Sequence, residues 1–389
     1  MLGSESWKIF DSSDQPGSGR TRASLTRTEI ETGMSVVEAL RGIAHDIQTK
    51  PTLAAKVTAL RKHSRVLGWE ILGIIGMVPF ATQSYLLYRR LAAGQDQIPV
   101  TLTRDLRYGP MPRNRLDVYR RARSESAGVT SSEAGAEPIV LFVHGGVWAS
   151  GSKWHYAKMA SRLAEEGITT CVAEYTLFPE ATTDRMAEEV GLALDWVVDN
   201  CVEGQNKKTV VLVGHSAGAH LCAMTVVQRS RRPGAYVPAF VGIAGVYDIA
   251  RHYDYEESRN VHHLSTMKRA VGGPDAFAGQ SPAVLLRQRE GDVSCGRLRV
   301  HLMASRSDVT VPHLQSVDLH DLLLERGCPE VTLSLYDDVG HGDFIVEWVP
   351  RERVGSGRGR ELPPHAAELV ETILSSSSPR LSSSRSTMT

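Results

Sequence analysis

Eight short apolar runs separated by helix-length segments, spread over residues 99–374, constrain this chain more than any other feature. Residues 99–107, 115–120, 138–144 ("PIVLFVH"), 168–175 ("ITTCVAEY"), 208–213, 239–245 ("AFVGIAG"), 298–305 ("LRVHLMAS") and 331–337 ("VTLSLYD") read as strands. Several are apolar along their whole length, as in strands buried on both faces. Apolar positions three and four apart predict helices at 154–166, 184–200, 217–230, 313–326 and 364–374. This alternation is the pattern of an α/β domain with a mainly parallel central sheet and helices on both faces. The first two strands have no helix between them and are expected to form an antiparallel edge. Residues 123–137 and 351–364 read as solvated loop insertions.

Upstream of this domain the pattern changes. Residues 1–33 and 375–389 are rich in small polar residues and are expected to be disordered tails. Residues 34–98 read as an N-terminal helical region: an amphipathic helix from Ser35 that stops near Pro51, a second stretch over 53–63, and an apolar segment over 66–88. That segment carries one charge, Glu70, in 23 residues and is long enough to cross a bilayer, while Pro79 and the polar Thr82, Gln83 and Ser84 dilute it. A membrane span or interfacial anchor, a helix pair covering an apolar cleft, and a helix buried in the core all remain open.

With 44 basic and 44 acidic residues the chain has no net charge to track a phosphate backbone, so nucleic acid is not an expected partner. The five cysteines (171, 201, 222, 295, 328) are odd in number and irregularly spaced, which predicts reduced thiols rather than a disulfide framework or a zinc site. His252, His262 and His263 fall in "RHYDYEESRNVHHLS", a polar stretch without compact ligand spacing that reads as a loop or lid. No metal and no cofactor are expected.

The chemistry is carried by "VLVGHSAGAHL" (211–221), where Ser216 sits between two glycines at a strand-to-helix turn. Such a turn pushes the hydroxyl clear of the backbone, at a helix N-terminus whose free N–H groups favour developing negative charge. A serine hydroxyl needs a base and a group that orients the base. In an open parallel sheet those groups gather at the carboxyl ends of strands. Asp308 follows the strand 298–305, with Asp337 and Asp338 as competing acids, and His341 follows 331–337 between Gly340 and Gly342. In "FVHGGVW" (142–148), Gly145 and Gly146 can turn their N–H groups inward and, with the N–H of Ala217, are the expected donors to an oxyanion. His144 is expected to orient that loop, while Trp148 and Tyr247 are candidates for the substrate pocket.

These motifs together resemble an α/β-hydrolase of the esterase and lipase type, and among these the chain is most similar to the isoprenylcysteine carboxyl methylesterases. The likeness runs over about 100–374 and rests on "NRLDVY" (114–119), "FVHGGVWASGSK" (142–153), "EYTLFPEAT" (174–182), "GHSAGAH" (214–220), "GVYDIARHYDYEESR" (245–259), "SPAVLL" (281–286), "SDVTVP" (307–312) and "GHGDF" (340–344). The resemblance implies a serine esterase acting through Ser216, Asp308 and His341 on a methyl ester of a prenylated cysteine, a small-molecule or lipidated-peptide substrate. It also implies membrane association through the segment 66–88 at an endomembrane such as the endoplasmic reticulum, with the cytoplasm as the alternative. The "HGGVW" loop is similar to that of the kynurenine formamidases too, so an amide or formamide hydrolase is a second expectation, and a non-catalytic ligand-binding protein on this fold a third. Where the family often carries Asp-Tyr-Arg before a Phe-Pro or Ala-Pro turn, this chain has Glu174, Tyr175 and Thr176.

Overall fold

The computed structural model describes residues 41–94, 99–122, 138–202, 210–232, 235–288, 298–350 and 361–376. The expected N-terminal tail, residues 377–389 of the expected C-terminal tail and most of the two expected insertions lie outside these residues, while Ser375 and Ser376, read as tail, end the last helix. After a helical segment at 41–49, helix α1 (Leu53–Ala92) leads to strands β1 (Val100–Arg107), β2 (Arg115–Arg121) and β3 (Ile139–Val143). Helix α2 (Ala157–Glu165), β4 (Thr169–Ala173), α3 (Thr183–Cys201), β5 (Val210–His215) and α4 (Ala217–Ser230) follow. The chain continues through β6 (Ala239–Ile243), α5 (Ile249–Arg259), α6 (Pro282–Arg287), β7 (Arg299–Ser305), α7 (Leu314–Glu325), β8 (Glu330–Tyr336) and α8 (Pro364–Ser376).

The strands form one eight-stranded sheet in the order β1-β2-β4-β3-β5-β6-β7-β8. β2 runs antiparallel to both β1 and β4, which makes the expected antiparallel edge, and all other pairs are parallel. β3, β4, β5 and β6 are buried along their whole length, since apolar layers cover both faces of the sheet. β3 lies between β4 and β5, so the chain leaves it toward opposite sides. A crevice opens at the carboxyl ends of strands where the order reverses in this way. Pairing of Val143 with Gly214 then sets residues 144–146 beside residues 215–217.

Two expected elements differ. The stretches read as separate helices at 53–63 and 66–88 are one helix of 40 residues with Pro79 inside it. A proline forfeits one intrahelical hydrogen bond, but the turns beyond it are held by packing. Phe80, Ser84, Leu87, Tyr88 and Leu91 are buried, and α1 lies against β1 and α2. Each such apolar side chain stabilises the fold by about 1.5–3 kcal/mol. Side chains 65–75 lie outside the description, and among the described residues no helix is long and apolar enough to cross a membrane. The polar stretch read as a loop or lid begins with a helix, α5. The Asp248 side chain caps it by accepting from Arg251 N–H at 3.3 Å, and Asn260 closes it at φ 59°. Its buried residues are Ile249, His252 and Glu256, three and four apart.

The expectation of reduced thiols holds for Cys171, Cys201 and Cys222 but not for Cys328, which is disulfide-bonded to a partner outside the described residues. Proximity in the fold, which irregular spacing does not reveal, makes that bond.

Candidate active site

β5 ends at His215 and α4 begins at Ala217, so Ser216 alone makes the turn, at φ 54° and ψ −121°. A left-handed φ is costly for a residue with a Cβ and persists only where the surroundings enforce it. Here the Ser216 N–H donates to the Ile243 carbonyl at 2.9 Å, and the Ser216 carbonyl accepts from His220 N–H at 3.1 Å. The flanking glycines supply the room. A Cβ at Gly214 would lie 2.6 Å from Ala219 N, and one at Gly218 would lie 2.1 Å from the Val143 carbonyl oxygen. Gly218 therefore lets the end of β3 press on the first turn of α4.

His341, in the loop after β8, donates from Nδ1 to Asp308 Oδ2 at 2.7 Å. That bond leaves Nε2 as the acceptor nitrogen, the tautomer a general base requires. The second carboxylate oxygen of Asp308 accepts from Thr310 N–H at 2.7 Å and Val311 N–H at 3.0 Å. Burial by itself would raise the Asp308 carboxyl; the hydrogen bond and charge of His341 and the two backbone donors outweigh it and hold the group below the ordinary carboxylate value. The competing acids stay outside: Asp337 is exposed and paired with Arg306 at 2.7 Å, and Asp338 is exposed. His215 ties the serine turn to this loop, since its Nε2 donates to the His341 carbonyl at 2.9 Å. No hydrogen bond among the described residues joins the Ser216 hydroxyl to His341. Such bonds are often long until a substrate is bound.

The glycine loop reaches the same place. A Cβ on Gly145 would sit 3.0 Å from the Ser216 Cβ and 2.9 Å from the His215 carbonyl, so only glycine fits there. His144 Nδ1 donates to the Gly145 carbonyl at 2.8 Å, and the His144 carbonyl accepts from the Tyr175 hydroxyl at 2.9 Å. Burial pushes the His144 imidazole down to about 4, so it is neutral and holds the loop. Beyond it Val147 and Trp148 stand at φ 46° and 60°, a strained pair that bends the loop back. Ala217 is the first residue of α4, and the opening N–H groups of a helix have no intrahelical acceptor.

Trp148 and Tyr247, read as pocket candidates, are packed inside instead. Trp148 is 2% exposed and its indole N–H donates to His220 Nδ1 at 3.2 Å, while His220 Nε2 donates to the Gln280 carbonyl at 2.7 Å. Tyr247 is fully buried, and a Cβ at Gly242 or Gly245 would strike its hydroxyl. Neither ring offers a face to a ligand. At 176, where the family often has arginine, Thr176 binds Glu189, and Arg113 donates to the carbonyls of the neighbouring Tyr175 at 2.9 Å and of Gly151 at 3.0 Å. His215 and Arg113 were not singled out by sequence, although His215 lies inside "GHSAG". Among the described residues no group of three or more His, Cys, Asp or Glu side chains is arranged to hold a metal ion.

The sheet order, the serine turn and the loops after β3, β7 and β8 are those of the α/β-hydrolase fold. Two solved structures share it: an esterase B from Lactobacillus rhamnosis (TM-score 0.57, 16% identity, 82% of this chain and 96% of that one) and a Pyrobaculum calidifontis esterase (TM-score 0.56, 20% identity, 79% and 96%). The model of the BD-FAE family matches residues 129–323, half of the chain, and the chain belongs to that family. Among curated sequences it is 29% identical over 256 residues to a probable isoprenylcysteine alpha-carbonyl methylesterase of Oryza sativa subsp. japonica, covering 63% of this chain and 58% of the relative. It is 25% identical over 249 residues to the kynurenine formamidase of Drosophila melanogaster, covering 62% and 75%. The chain thus spans well under two thirds of the length of the methylesterase relative.

Proposed function

We propose that this chain is a serine carboxylic-ester hydrolase that removes the methyl ester from a prenylated cysteine. The observation that carries the reading is the 2.7 Å bond from His341 to Asp308, anchored through His215 to the turn that bears Ser216. Ser216 Oγ attacks the ester carbonyl while His341 Nε2 takes its proton. The N–H groups of Gly145, Gly146 and Ala217 receive the negative charge that forms on the carbonyl oxygen. The intermediate collapses as His341 returns the proton to the departing methoxy oxygen, releasing methanol. Water, activated by the same imidazole, then cleaves the acyl-serine. Asp308 keeps its charge and steadies the imidazolium throughout.

The methylesterase likeness supports the substrate. The kynurenine formamidase likeness favours a second reading, in which the same groups cleave an N-formyl bond. We further infer association with an endomembrane: exposed Met77, Val78, Tyr85 and Leu86 on α1, followed by Arg89 and Arg90, provide an apolar patch with basic residues next to it. The deciding experiment offers the purified chain a prenylcysteine methyl ester and an N-formylated aromatic amine, with Ser216→Ala as the control. Turnover of the ester alone, lost in the variant, supports the first reading; turnover of the formamide alone supports the second; equal turnover in Ser216→Ala dismisses both. Flotation with anionic vesicles tests the membrane reading, and absence from the vesicle fraction rejects it.

A further inference from the structure

We propose that His252 and Glu256 form an amine-binding subsite in the roof of the active site, so that the ester hydrolysed carries a primary amine on its acyl part. This inference rests on the serine-hydrolase reading and narrows its substrate class.

The roof is made by α5 and the loop after it. The Tyr255 hydroxyl donates to the Val309 carbonyl at 2.9 Å, and the Arg259 guanidinium donates to the same oxygen. Val309 directly follows Asp308. At the other end Thr266 donates from its hydroxyl to the Val147 carbonyl, in the glycine loop. The segment 249–266 therefore spans from the acid loop to the oxyanion loop. Most of α5 is polar and partly or fully exposed, so the side chains it turns inward are the informative ones.

Two of those side chains are ionisable. His252 is 4% exposed and Glu256 is 8% exposed, and they stand one helical turn apart with Nε2 and Oε1 separated by 3.6 Å. That gap is too long for a hydrogen bond. His252 Nδ1 and Glu256 Oε2 are both buried with no hydrogen-bond partner. Buried polar atoms are nearly always paired, and two unpaired ones on successive turns of α5, with the Ser265 hydroxyl bonded to the Glu256 carboxyl beside them, mark the place of a missing group. His252 also lies near enough to His341 and Asp308 to feel their charges.

The polarity of the missing group follows from the two atoms. Burial pushes the His252 imidazole down to about 4, so it is neutral and, with its hydrogen on Nε2 toward Glu256, accepts at Nδ1. Burial pushes the Glu256 carboxyl up to about 7, where it can gain or shed a proton according to what enters. Two acceptors from residues one helical turn apart, one able to become an anion, suit a group with several N–H donors and a positive charge. A carboxylate or phosphate would meet repulsion, and a hydroxyl would satisfy one atom and leave the other. The charge of Arg259 reaches both groups, but its guanidinium is turned to Val309 and the Tyr255 ring.

The test compares kcat/KM of the full chain on leucine methyl ester and on methyl 4-methylpentanoate, the same skeleton without the amine. Wild type should prefer the amine ester by at least about tenfold. Glu256→Gln should reduce that ratio at least about tenfold, mainly through KM for the amine ester. Fluorophosphonate labelling of Ser216, run in parallel, reports the hydrolase reading by itself. Turnover of both esters with a wild-type ratio near one overturns the subsite and leaves the hydrolase standing. Should wild type neither label nor turn over either ester, the hydrolase reading falls, and the subsite is then decided by calorimetric binding of leucinamide against 4-methylpentanamide: tighter binding of the amine supports it, equal binding overturns it. If Glu256→Gln fails to fold, Glu256→Asp replaces it, and the wild-type ratio decides without any variant.

Discussion

His215 Nε2 donates to the backbone carbonyl of His341 at 2.9 Å, and the two rings lie 4.8 Å apart. The residue before the serine thereby holds the loop that carries His341, the proposed base. His215→Phe keeps the bulk and removes the donor, so the His341 loop loses a tether while Asp308 stays in place. Misplacing a catalytic group by about 1 Å can cost on the order of 10²-fold in rate. A drop in kcat of that order with KM little changed is expected on a p-nitrophenyl ester; an unaltered kcat would show that the tether is dispensable.

Asp308→Asn preserves shape but can hold His341 in the wrong tautomer. Loss of kcat on the order of 10³–10⁴-fold is expected, with the melting temperature close to wild type. Steady-state kinetics beside thermal denaturation separates this outcome from simple unfolding.

Gly218→Ala places a methyl 2.1 Å from the Val143 carbonyl oxygen, and backbone cannot give way as a side chain can. We expect destabilisation of about 1–3 kcal/mol together with loss of fluorophosphonate labelling, because the glycine loop is pushed from Ser216. Urea denaturation measures the first and labelling the second. A stable, fully labelled variant would mean that the close approach is not needed.

Acid should destabilise the fold through histidines that are buried and neutral. Burial pushes His144 to about 4, His215 to about 3 and His220 to about 4. Unfolded, each takes up a proton below about pH 6.5, so the unfolded state binds more protons and stability falls as pH drops through the window from there toward pH 4. The slope for each such group approaches about 1.4 kcal/mol per pH unit. Glu256, raised to about 7, acts with the opposite sign, since its folded form retains a proton as pH rises from the ordinary carboxylate value toward neutrality. Urea midpoints between pH 4 and 7 should therefore rise with pH, and His144→Gln should flatten the rise. A flat wild-type profile would contradict the burial of these rings.

Much of the sheet could be read directly because parallel strands covered on both faces leave unbroken apolar runs, as in "PIVLFVH" and "VVLVG". The position of Asp308 was legible because it follows the buried β7, and that of His341 because it follows β8, an edge strand that alternates apolar and polar residues. Helix α5 was not, because only Ile249, His252 and Glu256 turn inward and two of these are ionisable. Trp148 and Tyr247 misled because an aromatic ring in a loop can face either way until the layer beneath it is known. The continuity of α1 through Pro79 depends on Phe80, Leu87, Tyr88 and Leu91 finding a surface, which local propensity does not reveal.

The same four side chains make the helix ahead of the sheet a structural part of the α/β domain. A recombinant fragment started at Pro99 would strip cover from Val100, Tyr156 and Ala160 and leave a greasy scar where water now has no access. Producing the chain without residues 76–94 is thus a recipe for aggregation, whatever that helix does in the cell.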